Sequence, residues 1–192
     1  MTTHPRVRAR RLSVGGALAL VCALASCAEG PPPPAPGAGD DDALQPTATV
    51  EELMRWLIDP AADAMWDAVV VTSTRDGIRE ERPESAEDWA ALERNAILLV
   101  EAGNLLQMDG RAIAGAGSAS ELPGVDLEPA DIAVRVAGDR GTWNRSAREL
   151  HDVGVVLLDA VRARDVDALL EAGHRLDVAC ESCHSRFWYP PL

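Results

Sequence analysis

Residues 165–187 read DVDALLEAGHRLDVACESCHSRF, and the period of that stretch decides the fold. Val166, Leu169, Leu170, Gly173, Leu176, Asp177, Cys180 and His184 recur at spacings of three and four, which marks one face of an α-helix, not a strand. Asp165 in front is a good N-cap, because its carboxylate can accept from an unpaired amide of the first turn. Three more segments carry the same period toward the N-terminus. Residues 142–163 start at Thr142 or Asn144 and turn Leu150, Val153, Leu157, Leu158 and Val161 inward. Residues 84–108 open on Ser85 and Asp88 at capping-box spacing, bury Trp89, Leu92, Ala96, Leu99, Ala102, Leu105 and Leu106, and end at Gly110. Residues 49–71 open on Thr49 and Glu52, a second capping box. Their stripe is Val50, Leu53, Met54, Leu57, Ile58, Ala61, Met65, Ala68 and Val69. Pro60 lacks an amide hydrogen and is expected to kink that helix.

A polar turn is expected around Arg75 to Pro83. Residues 110–141 are rich in Gly, Ala and Pro, with a weak period from Asp131 to Val136, and read as a long connection holding one short helix. No stretch alternates with period two for long, so a sheet is not expected. The prediction is an all-α fold, an antiparallel up-down-up-down four-helix bundle over residues 49–192. Trp56, Trp66 and Trp89 are read as core or helix-contact residues.

The chemistry lies at the end of the fourth helix. Cys180-Glu181-Ser182-Cys183-His184 is Cys-x-x-Cys-His, the attachment pattern of c-type haem. Two thiols three residues apart reach adjacent vinyl groups on one edge of a porphyrin, and the histidine that follows can approach iron from the same side. A thiol pair alone would also suit a thioredoxin-like redox motif, which needs a strand before the helix. Cys180, Cys183 and His184 with His174 would serve zinc, and the two thiols could form a disulfide. A covalent haem c at the C-terminal end of the fourth helix is the expectation.

The rest of the composition fits an exported carrier better than a nucleic-acid protein. The chain has 192 residues, one domain's worth, with 18 basic and 31 acidic side chains and no lysine. Such an acidic surface repels phosphate backbones, so nucleic acid is excluded as a partner. Arg6, Arg8, Arg10 and Arg11 precede an apolar run from Leu12 to Ala25, short for a membrane span but right for the core of a signal peptide. Arg10-Arg11 is the only part of a twin-arginine signal present, so general secretion is expected. Leu24-Ala25-Ser26-Cys27 resembles the lipobox of bacterial lipoproteins, which implies cleavage after residue 26 and lipidation of Cys27. Removing residues 1–26 takes away four arginines and no acids, so 14 basic residues face 31 acidic ones and the net charge moves from -13 to -17. Residues 27–48, with Pro31 to Pro34, Pro36 and Asp40 to Asp42, form a solvated tether, about 3 Å per residue when extended. Ala28 stands where an Asp would retain a lipoprotein at the inner membrane, which favours a periplasmic protein anchored to the outer one. Cys22 leaves with the signal, so the four cysteines divide among signal, lipid and haem.

With its haem motif near the C-terminus of a four-helix pattern, the chain resembles the class II c-type cytochromes, meaning cytochrome c′ and its low-spin relatives. The resemblance covers about residues 49–189. Cys-Glu-x-Cys-His-x-x-Phe-Trp-Tyr-Pro at 180–190, Glu-Leu-Met at 52–54, Asp-Pro-Ala-Ala-Asp at 59–63 and Asn-Leu-Leu at 104–106 look like those of uncharacterised bacterial members. It implies haem on Cys180 and Cys183 with His184 as proximal ligand. In the expected topology the haem end also holds Met54, Met108 and Trp143. Met65 sits about 16 Å further along the same stripe, and His151 and His174 lie one to two turns or more away. Low-spin members carry a methionine ligand early in the first helix, where Met54 stands, and a thioether opposite imidazole raises the potential. Arg111 is expected to pair with a propionate, and Glu181 to be a surface charge near the haem edge. Gas-binding members leave the distal site open and usually have a basic residue four positions after the histidine. Here that residue is Trp188, with Arg186 two positions after.

No acid–base pair, nucleophile–histidine set or phosphate loop stands out, so an enzyme is not expected. The reading is a lipid-anchored electron carrier serving redox partner proteins. The alternative is a five-coordinate binder of nitric oxide or carbon monoxide. Bundles of this family often form homodimers; the sequence fixes no oligomeric state.

Overall fold

The computed structural model describes residues 44–190, and they are mostly helical. The expected signal peptide, the Cys27 anchor and nearly all of the tether lie outside the described residues. Helix α1 (Val50–Leu53) starts on the expected capping box, with Glu52 N–H donating to Thr49 Oγ1 at 3.1 Å and Thr49 N–H donating to Glu52 Oε2 at 2.8 Å. Its remaining amides are met from outside the helix, Val50 and Glu51 donating to the carbonyls of Ala112 and Ile113. A π-helical turn (Met54–Ile58) follows directly, and α2 (Asp59–Trp66) continues the same rod. The expected disruption at Pro60 therefore takes the form of a widened turn just before it. A proline cannot donate to the carbonyl four residues back and its ring crowds that carbonyl, whereas the wide turn, closed by Asp59 N–H donating to Met54 O, gives the ring room.

One expectation is corrected. Trp56 is 66% exposed and not a core residue, since even at 3.6 residues per turn it falls off the stripe of Val50, Leu53, Leu57 and Ala61. Trp66 is partly covered and donates from Nε1 to Gly173 O at 3.1 Å, while Trp89 is buried.

The first helical rod ends at Trp66 instead of residue 71. A two-stranded antiparallel hairpin, β1 (Val70–Thr74) and β2 (Gly77–Glu81), occupies the place expected to be a polar turn and overturns the expectation of no sheet. Val70-Val71-Thr72 favours extended backbone, and Gly77 at φ +131° supplies a conformation barred to side-chain-bearing residues. Every residue of both strands is exposed, so the hairpin has no buried face and no period-two pattern to reveal it.

Helix α3 (Ala86–Leu106) carries the second capping box, Ser85 with Asp88. After the connection, α4 (Pro129–Gly138) is the short expected helix; it buries Ile132 and Val136. Helix α5 (Arg140–Ala163) begins two residues before Thr142, capped by Asp139, whose Oδ1 accepts from Thr142 N–H at 3.2 Å. Helix α6 (Val166–Phe187) starts on Asp165 as expected. On its stripe Leu170 is 48% exposed and Asp177 is exposed, so the buried seam is narrower than expected.

Helix α3 packs most extensively on α5, α5 on α6, and α2 on both α3 and α6. The α3–α5 contact is close because of two glycines. A Cβ on Gly103 would lie 2.7 Å from Ala147 O and the backbone of His151, and one on Gly154 would lie 2.9 Å from Val100 N. Leu99, Leu157, Leu169 and Leu176 form the centre of one continuous apolar core. At the far end of α3, carbonyls left over by the helix accept from side chains: Leu105 O from Arg111 Nε, Leu106 O from Trp143 Nε1, Gln107 O and Met108 O from Arg140.

Candidate functional site

Toward the C-terminal end of α6 the inward positions change from leucine to small residues. Leu169 and Leu176 give way to Ala179, Cys180 and Cys183, and opposite them α5 offers Ser146 and Ala147. The result is an apolar cavity enclosing about 590 Å³ of atom-free space, part of it open to solvent. Met54, Ile58, Ala62, Trp143, Leu150 and His184 complete its walls. A second, wider cavity of about 1140 Å³, part of it open to solvent, adjoins it, walled by residues 113–114, 119–122 and 126–127 of the connection together with Trp188 and Tyr189. Met54, Asp59 and His184 line both.

Four of the expected site residues are thus brought together: Cys180, Cys183, His184 and Met54. The two thiols stand on successive inward positions of α6, half-buried and unbridged. Burial pushes the Cys180 thiol up to about 11, helped by the neighbouring Cys183 sulfur and the Asp177 and Asp59 charges. Cys183 is likewise pushed up to about 11 by burial, with a hydrogen bond from Ser146 acting against it. Both sulfurs are therefore protonated at neutral pH, unlike the thiolates of dithiol redox motifs. His184 is flanked by aromatic rings, Trp188 at 6.1 Å and Tyr189 at 6.3 Å between centroids. Trp143 packs edge-on against Phe187 at 5.4 Å and closes the cavity from behind.

Other expected residues are employed elsewhere. Met108 lines neither cavity; its sulfur accepts from Arg111 Nη2 at 3.1 Å. Arg111 also lines neither, its remaining donors being spent on Leu105 O and Ala48 O. Met65 and His174 line a separate groove with Trp66, and His151 pairs with Asp152 at 2.9 Å. Glu181 is exposed and accepts from Ser185. Arg186 pairs with Asp139 at 2.8 Å, joining the end of α6 to the start of α5.

No family model matches the chain, and no curated protein or solved structure matches it.

The chemistry of the donors therefore has to decide what the site can hold. Among the described residues, no three imidazole, thiol or carboxylate groups converge as a cage for a metal ion. His174, the fourth ligand a zinc site would require, belongs to the other groove. The set at the cavity fits a haem better: two protonated thiols able to form thioethers, an imidazole next to them in sequence, and a thioether on the α1–α2 rod. The surrounding walls are apolar and aromatic, as a porphyrin face requires.

Two contributions were not visible in the sequence. Asp59 lines both cavities and stands at their junction, and its carboxyl is raised by burial, with the His184 charge acting the other way. The connection after α3 closes the second cavity, held by Arg55 bridging Glu51 and Glu121 and by Ser118 Oγ donating to Glu51 at 2.9 Å. Leu127 N–H donates to Trp188 O at 3.0 Å and anchors it to the chain end. The Asp59-Pro60 pair was a signal for a special turn, but nothing in a helical wheel puts residue 59 beside residue 54.

Proposed function

We propose that the protein is an exported, lipid-anchored monohaem c-type cytochrome that transfers electrons, a lipoprotein form of the class II group. In this reading α1–α2, α3, α5 and α6 make an antiparallel up-down-up-down four-helix bundle with the haem at the C-terminal end of α6. The observation that carries it is the convergence of Cys180, Cys183, His184 and Met54 on one apolar cavity. A bound haem supplies a one-electron couple. Cys180 and Cys183 would hold it covalently through thioether links. His184 and Met54, which line the same cavity, would supply the iron ligands. Trp143, Phe187 and Leu106 keep water from the buried face. The mature chain's charge of -17 favours encounter with basic redox partners, and lipidated Cys27 keeps it at a bacterial membrane, the outer one by the residue at 28.

The test is the absorption spectrum of the protein matured by a c-type haem attachment system in a periplasm, oxidised and reduced, with and without carbon monoxide. The expected result is covalent low-spin haem whose long-wavelength methionine–iron band disappears in Met54→Ala. Rapid carbon monoxide binding to high-spin ferrous wild type would instead establish the five-coordinate gas binder. Failure to acquire any Soret band under those conditions would sink both.

A further inference from the structure

The π-helical turn has an effect on side-chain placement that a regular helix would not produce. With 3.6 residues per turn, positions five apart point about 140° away from each other. Here Asp59 N–H bonds to Met54 O across five residues, so residue 59 comes round close to the direction of residue 54. Met54 and Asp59 consequently line the same two cavities, and His184 lines both with them. Wide turns of this kind inside helices occur frequently at functional sites.

Asp59 is exposed and, among the described residues, stands without an ion-pair partner. Among the described residues no donor or cation closes on its carboxylate. Arg55, one turn away, is engaged by Glu51 and Glu121. The remaining neighbours whose charge bears on it are His184, Asp63 and Glu121, two of them acidic. Its exposure is at the junction of the cavities, so an occupant there removes water from one side of it.

The geometry points to Asp59 as the carboxylate that sets the reduction potential of this site, its negative charge on the Met54 wall favouring the oxidised protein. The inference rests on the haem reading above. A fixed negative charge beside the iron stabilises the ferric state, which is one unit more positive than the ferrous, and so lowers the potential. The strength is moderated by the solvent still touching Asp59. Asp59 thus opposes the effect of the Met54 thioether, which favours the reduced state. The two residues that the wide turn aligns act in opposite directions on one couple.

The experiment is a spectroelectrochemical titration of haem-loaded wild type, Asp59→Asn, Asp59→Glu and Asp63→Asn. Neutralising Asp59 is expected to raise the ferrous-to-ferric ratio at fixed ambient potential by about three- to tenfold, that is ~28–59 mV at 59 mV per tenfold change for one electron. Asp59→Glu keeps the charge and is expected to stay near wild type. Asp63→Asn, one turn further along and lining neither cavity, is expected to move less than Asp59→Asn. An unchanged methionine–iron band and melting midpoint in Asp59→Asn separate a charge effect from loss of the fold. If Asp59→Asn does not accumulate, Asp59→Ser gives the same neutral comparison. A loaded neutral variant with the wild-type potential overturns the inference and leaves the haem reading standing. An equal shift in Asp63→Asn overturns it too, because the effect would then be general surface charge. A wild-type chain without covalent haem, scored beforehand by in-gel haem staining, overturns the reading beneath it.

Discussion

Along α5 and α6 the inward positions of one half carry Leu157, Leu169 and Leu176, all almost wholly removed from solvent. Those of the other half carry Ser146, Ala147, Ala179, Cys180 and Cys183 around a cavity. The same two helices thus carry large inward side chains at one end and small ones at the other. In the dense half, Gly154 lets α5 approach Val100 of α3 with no room for a Cβ. At the open end, small side chains replace leucine and line a cavity that is partly open to solvent. Leucine side chains fill one end, and small side chains leave a cavity at the other.

Substitutions can break that contrast. Leu157→Ala, in the dense half, is expected to lose about 2–5 kcal/mol in urea unfolding; a loss below 1 kcal/mol would mean that this half is loosely packed after all. Gly103→Ala forces α3 and α5 apart by putting a methyl group 2.7 Å from backbone atoms, and a cost of about 1–3 kcal/mol is expected from overpacking. A neutral result would show that the helices can slide. Ala179→Leu, at the open end, is expected to act in the opposite direction. Burying its added carbons, worth about 0.8 kcal/mol per CH₂ when complete, should stabilise the unloaded protein by ~1 kcal/mol while lowering covalent haem incorporation. Destabilisation of the unloaded protein would erase the distinction between the two ends.

The smallest effect concerns a cap remote from both. Asp88 accepts from the amides of Ser85 and Glu84, and these bonds hold its carboxyl below the usual carboxylate range. A depressed folded-state value contributes stability above about pH 4, and that contribution is lost as the pH falls through the folded value. Asp88→Asn should therefore flatten the acid side of the stability profile below pH 4 and leave the neutral region little changed. A profile parallel to wild type over that range would contradict it.

How legible all this is from sequence depends on the element. Asp165, Ser85 and Thr49 give their helix starts correctly because capping is local chemistry, completed within four residues. The start of α5 was placed late, at Thr142 or Asn144, because Asp139 caps it and is also tied to Arg186 at the other end of the chain. The hairpin escaped notice because Val71 and Ile78 are exposed, so tertiary burial left no alternation to read. Trp56 was read as a core or helix-contact residue from its side-chain type, although it stands off the apolar stripe and is exposed. Within the site, Cys180, Cys183 and His184 were adjacent in sequence and therefore legible. Met54 was placed by the expected topology and the resemblance. Asp59 required the wide turn itself, and Arg111 was drawn away by the carbonyls of α3, which no short-range pattern announces.

The cavity is walled by the first helical rod and by the last helix, so the two ends of the described chain must meet before it exists. Contacts so distant along a chain form late, because the intervening loop has to close before they contribute anything. Of the described helices, α6 is also the last to be synthesised. Both thiols therefore remain reachable on an unfinished protein for longer than any other part of the site. A covalent modification of Cys180 and Cys183 has a natural interval in which to occur, and docking of α6 ends it.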